Sequence, residues 1–186
     1  MSAPSEVWFF SRAAGFVPGM EDSYLLKRLS NMEAVAGFIP VTLPGPGAVQ
    51  FHGLFASLEH AIQAAKYLFL NGAPRLDLAA RFVVDGEFGL LRGEAVLKKG
   101  RRFAMKDVAV ALDVEAWDAA MSLIIRTCIK ARAAVDAEFV KACKALVSQG
   151  IRIRHFARMR FYRCKKTGAL KGVDPVGPLL EDIGAL

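Results

Sequence analysis

At 186 residues, with 54% hydrophobic content and a mean hydropathy of +0.31, the chain has the length for one domain with a substantial core. No apolar run approaches the roughly 18 residues of a membrane span, and residues 1–6 lack the basic and apolar regions of a secretory signal, so the expected location is cytoplasmic. The net charge of +7 favours anionic partners. Isolated Cys128, Cys143 and Cys164 and unclustered His52, His60 and His155 exclude a disulfide framework and a metal spacing. Reduced structural cysteines, no metal and no cofactor are expected.

In chain order, residues 7–10 read as a short apolar strand, and 11–28 as irregular, with turns at Gly15, Pro18 and Gly19. A second strand is expected over 38–43 and a hairpin partner over 49–51. Between them Pro44-Gly45-Pro46-Gly47 makes the turn, and His52-Gly53 leads on towards a helix. That helix is expected over 57–70, with Ser57 as its cap, stopping before Asn71-Gly72. Short helices follow over 75–82 and 88–99, the second ended by Gly100 in a left-handed conformation. From Val114, the spacing of Trp117, Met121, Ile124 and Cys128 predicts the longest helix. Val135, Phe139, Ala142 and Leu146 repeat the pattern, with Asp136 as a cap. Residues 151–154 alternate apolar and basic, as a half-buried strand does, and the tail forms one short helix. The sum is an α+β fold, mostly helical, with a few short strands, in a single domain over 1–186.

The helix at 57–70 carries the most chemistry. Glu59, Gln63 and Lys66 fall at i, i+4 and i+7 and share one stripe, beside an apolar stripe of Leu58, Ile62, Ala65 and Phe69. The apolar side buries and the polar side faces a cleft. Read by spacing alone, the polar stripe is the solvated Glu–Lys face of a surface helix.

Leu29-Ser30-Asn31 followed by Ser57-x-Glu59-His60-x-x-Gln63-x-x-Lys66 resembles the signature of the YbiA-like (NADAR) family, which is named for its association with NAD and ADP-ribose and whose members cleave N-glycosidic bonds. Weaker matches are Val7-Trp8-Phe9-Phe10, Gly93-Glu94-Ala95 through Gly100-Arg101, and Trp117, Met121 and Lys130. The resemblance spans roughly residues 7–147. It departs at Arg158-Met159-Arg160-Phe161-Tyr162-Arg163, where family members carry an Asp and a Trp-Gly pair.

The resemblance implies hydrolysis of the C1–N bond of a ribosylated, phosphate-bearing substrate. That substrate is either a ribosylamino-pyrimidine phosphate of the riboflavin route or an ADP-ribosyl adduct. Such cleavage develops positive charge on the sugar, which a carboxylate stabilises while it deprotonates the attacking water. Glu59 is the acid in the motif helix, and a place near the helix start suits its ionised form. Lys66, about 10 Å along the helix and too far to pair with Glu59 directly, holds a phosphate or the departing base. Alternatively, Lys66 or Lys130 attacks C1 as a Schiff-base lysine. Ser30 and Asn31 are candidates for ribose or base contacts, Gln63 for an exocyclic group, His60 for substrate or a backbone carbonyl, and Trp117 for stacking. Arg126 and Lys130, one turn apart, are candidates for a phosphate clamp.

Two other readings use the same residues. A degenerate member binds nucleotide or ADP-ribose without turnover. Alternatively, the basic stretch 152–171, with Phe156, Phe161 and Tyr162 interleaved, binds nucleic acid. The same stretch also suits an edge strand that basic side chains keep unpaired.

Overall fold

The computed structural model describes residues 6–10, 28–31, 33–156, 161–163, 167, 169–172, 174 and 176–186. The irregular stretch expected over 11–28 falls outside these apart from Arg28, as do Arg158, Met159, Arg160, Cys164, Lys165 and Lys166. The side chains of Phe156, Phe161, Tyr162, Arg163 and Lys171 also lie outside the described set.

Strand β1 spans Glu6–Phe10, β2 Ile39–Pro44 and β3 Gln50–Phe55. Helix α1 spans Leu58–Lys66 and α2 Leu76–Ala79, which runs into a 3-10 turn, Ala80–Phe82. Helices α3 (Glu94–Lys99), α4 (Arg102–Asp107), α5 (Val114–Val135) and α6 (Ala137–Ser148) follow. Strands β4 (Arg152–Phe156), β5 (Phe161–Arg163) and β6 (Leu170–Gly172) precede the last helix, α7 (Gly177–Ala185). The fold is α+β, with helices outweighing short strand pairs, as the sequence pattern predicts. By its internal contacts the chain forms two compact units, one of Asn31–Asp136 and one of Met1–Ser30 with Ala137–Leu186.

In the first unit, β2 and β3 form an antiparallel hairpin, with Ile39 opposite Phe55 and Pro44 opposite Gln50. Period-2 alternation buries Ile39, Val41 and Leu43 and leaves Pro40 and Thr42 exposed. Helix α5 packs on β2 and α1 packs on α5. Asp113 caps α5 by accepting the Ala116 N–H at 3.0 Å. The inward stripe of α5 (Trp117, Ile124, Ile125, Cys128, Ile129) matches the predicted spacing.

Three boundaries differ from the sequence reading. Strand β3 takes in His52 and Gly53, which pair with Thr42 and Val41, rather than leading off towards the helix. Helix α1 ends at Lys66, four residues before the expected Leu70. Tyr67, Leu68 and Phe69 donate to carbonyls three residues back, which tightens the last turn. The chain then pairs Leu70 with Leu112. Helix α3 begins only at Glu94, because residues 88–90 turn, 91–92 are irregular and Gly93 turns the chain into the helix with φ +53. Its terminator, Gly100, has φ −99 and is not left-handed.

In the second unit, β1 and β4 pair in parallel, with Val7 opposite Ile153. Helix α7 packs on α6 and on β4. Asp174 ties strand to helix: Oδ2 accepts the His155 N–H at 3.0 Å, and Oδ1 accepts the N–H groups of Val176 and Gly177. A small β5–β6 hairpin completes the described elements.

Candidate functional site

The chain enters α1 from an extended Ser57, with φ −156 and ψ 167. Ser57 makes no cap bond. The Glu59 N–H instead donates to the backbone carbonyl of Asn31 at 2.8 Å, which tethers the helix start to a distant strand of chain. The Ser57 hydroxyl lies 2.8 Å from His60 Nδ1, and His60 Nε2 lies 3.2 Å from the Phe88 carbonyl. A carbonyl only accepts, so Nε2 carries the proton and Nδ1 accepts from Ser57. Burial lowers the His60 pKa, with nearby Arg92 acting in the same direction and the Phe88 bond opposing. His60 is thus a neutral, fully engaged ring that pins the 88–93 segment to α1.

The polar stripe is not solvated. Glu59 is 4% exposed and Gln63 1%, whereas Ile62, expected on the buried side, is only half-buried. Gln63 Nε2 donates to Glu59 Oε1, and Gln63 Oε1 accepts from Lys66 Nζ at 2.7 Å. A single amide therefore joins the acid to the cation, giving each the end it needs. A carboxamide can do so because it carries a donor and an acceptor on separate atoms. Lys66 Nζ also lies 3.5 Å from the Gly100 carbonyl and 6.0 Å from the Trp117 ring centroid. Trp117 is buried and meets Phe69 edge-on at 6.0 Å. Ile62 and Lys66 are the incompletely buried residues of α1, so the helix is open along the edge that flanks Glu59 and Gln63.

The structure thus brings together Asn31, Glu59, His60, Gln63, Lys66 and Trp117. Arg126 and Lys130 do not join them. Both are exposed, on the side of α5 opposite Trp117, Ile124 and Cys128, so this geometry builds no phosphate clamp from them at the motif helix. Ser30 is buried and belongs to the other unit. Of the basic stretch, Arg152 pairs with Glu181 at 2.9 Å, and Arg154 lies within 4 Å of Glu6 and Glu181, so these two charges are matched inside the protein.

Two features were not legible as site residues. Gly100 reads in sequence as a helix stop, yet it lies against Gln63 and Lys66. Arg132, the last of three cations in α5, is wholly buried and donates to Asp136 at 2.9 Å. Clefts of about 520 Å³ (between Leu70–Arg75 and Lys106–Ala111) and about 390 Å³ (on the hairpin, at Thr42 and His52) take no lining residue from the motif. Among the described residues no group of His, Cys, Asp and Glu is arranged to hold a metal ion, and no helix is long and apolar enough to cross a membrane. No family model, curated protein or solved structure matches this chain.

Proposed function

We propose that the protein is an N-glycoside hydrolase. It cleaves the C1–N bond of a ribosylated, phosphate-bearing substrate, either a ribosylamino-pyrimidine phosphate or an ADP-ribosyl adduct. The observation that carries this reading is the buried carboxylate of Glu59, oriented by Gln63 in the first turn of α1. Burying a charge is unfavourable unless bonds hold it, and a solvated face would need none of this arrangement.

In the reaction a water oxygen bonds to C1 as the C1–N electron pair leaves with the base nitrogen, which takes up a proton. Glu59 removes a proton from the water and sets its negative charge against the cationic sugar. Lys66, at the open edge of the helix, receives a substrate phosphate or an oxygen of the departing base. Trp117 supplies an apolar wall. Asn31, buried at the helix start, is the residue assigned to a ribose hydroxyl in this reading. The amide of Gln63 is taken by Glu59 and Lys66, so in this reading it orients the acid instead of binding an exocyclic group.

Glu59→Gln keeps the shape and removes the charge. Assayed for release of free base from both substrate classes, it should lower kcat/KM by about 100-fold or more. An unchanged rate would remove Glu59 from the mechanism. A second reading, binding without turnover, is favoured by Arg158–Arg163 standing where an Asp and a Trp-Gly pair belong in the family pattern. Calorimetric titration that shows ADP-ribose binding, with no product over hours, would select it.

A further inference from the structure

We infer that Gly100 is a positioning residue: its missing side chain is what holds the Gln63 amide between Glu59 and Lys66. The inference rests on the reading of α1 as the site, but its primary readout does not depend on turnover.

Glycine at this position is not required by the backbone. With φ −99 and ψ 12, Gly100 has a conformation open to other residues. The requirement is steric. A Cβ built there would overlap Gln63 Oε1 and stand 2.7 Å from its Cδ and 2.9 Å from its Cβ. Gln63, 1% exposed, has no solvent to swing into. The atom that collides is the one accepting from Lys66, and the Gly100 carbonyl is itself within reach of the same ammonium. The end of α3 therefore presses on the amide from one side while Glu59 and Lys66 hold it from the other. Displacing Oε1 breaks the Lys66 bond and turns Nε2 away from Glu59, so two charges lose their alignment through one added methyl.

The test is Gly100→Ala, read first by NMR of the Gln63 side-chain amide. In the wild-type protein that NH2 pair should exchange slowly with water and resonate away from free glutamine. In Gly100→Ala it should move to free-glutamine shifts and exchange at least 10-fold faster. Where substrate turnover is measurable, kcat should fall 10-fold or more with KM changed less than 3-fold. Adding Gln63→Ala removes the two closest colliding atoms, Oε1 and Cδ, and leaves only the 2.9 Å approach to Cβ, so the further effect of Gly100→Ala on melting and rate should be several-fold smaller in that background. If Gly100→Ala does not fold, recovery of folding in the double variant establishes the contact. An unaltered Gln63 amide signal in Gly100→Ala would overturn the inference, as would a double variant that stays unfolded. Loss of the amide signature without any glycosidase activity in the wild-type protein would sink the hydrolase reading and leave this one standing.

Discussion

Ala109 occupies the left-handed region, with φ 55. The reason is local. Val110 N–H reaches the Met105 carbonyl and Ala109 N–H the Lys106 carbonyl, the paired bonds that close a helix in a Schellman motif. The same pair ends α6, where Ile151 and Gly150 donate to Leu146 and Val147, but there the left-handed position is filled by glycine at φ 70. Alanine at such a position is strained by about 1–2 kcal/mol, partly offset by the greater freedom of glycine in the unfolded chain. Ala109→Gly should therefore stabilise the protein by about 0.5–1 kcal/mol, seen as a higher urea midpoint at unchanged slope. At this scale the sequence was readable where side-chain type decides the outcome. The Glu59, Gln63 and Lys66 stripe followed from spacing alone. The role of Gly100 did not, because its neighbour across the fold, Gln63, is what makes a Cβ intolerable there.

Helix α1 shows what periodicity conveys and what it omits. It told which residues share a face, and those residues do lie together. It did not tell which face is wet, since a stripe of Glu, Gln and Lys has the same period in water or against a neighbouring turn. The start of the helix teaches the same lesson. Ser57 has the chemistry of a cap, but its hydroxyl is spent on His60 and a backbone carbonyl does the capping. Ser57→Ala should leave His60 Nδ1 buried without its donor and destabilise by about 1–3 kcal/mol. Ser57→Asp, a good cap that cannot donate a hydrogen bond when ionised, should not restore stability in thermal melts. Full recovery by Ser57→Asp would return the residue to a capping role. The early end of α1 was hidden for a related reason: beyond its tightened last turn the chain bonds to a distant segment, with Asn71 N–H donating to the Ala111 carbonyl and Asp113 N–H to that of Phe69.

For the molecule as a whole, pH acts through buried imidazoles. Burial depresses the His155 pKa to about 4, with Asp174 opposing, and lowers that of His60. Folded-state values below the unfolded 6.5 mean that the unfolded chain takes up protons first as pH falls. Stability from these groups is complete above pH of about 6.5 and lost progressively towards pH 4. His155 alone contributes on the order of 3 kcal/mol to that loss. Urea midpoints should drop across this window, and His155→Phe should flatten the dependence; equal slopes in the two proteins would refute the assignment. Fold class was legible at this scale because strand and helix patterns differ in period. The assembly of the site was legible only in part. Trp117 and Lys66 meet through packing of α1 on α5, whereas Arg126 and Lys130, equally plausible by spacing, emerge on the outer side of α5.

The indole of Trp117, sunk in the interior with an ammonium 6.0 Å from its centre, makes this protein its own optical gauge. A positive charge near an excited indole shifts and quenches its emission, so whatever draws Lys66 away from its resting partners also changes the light the protein gives off.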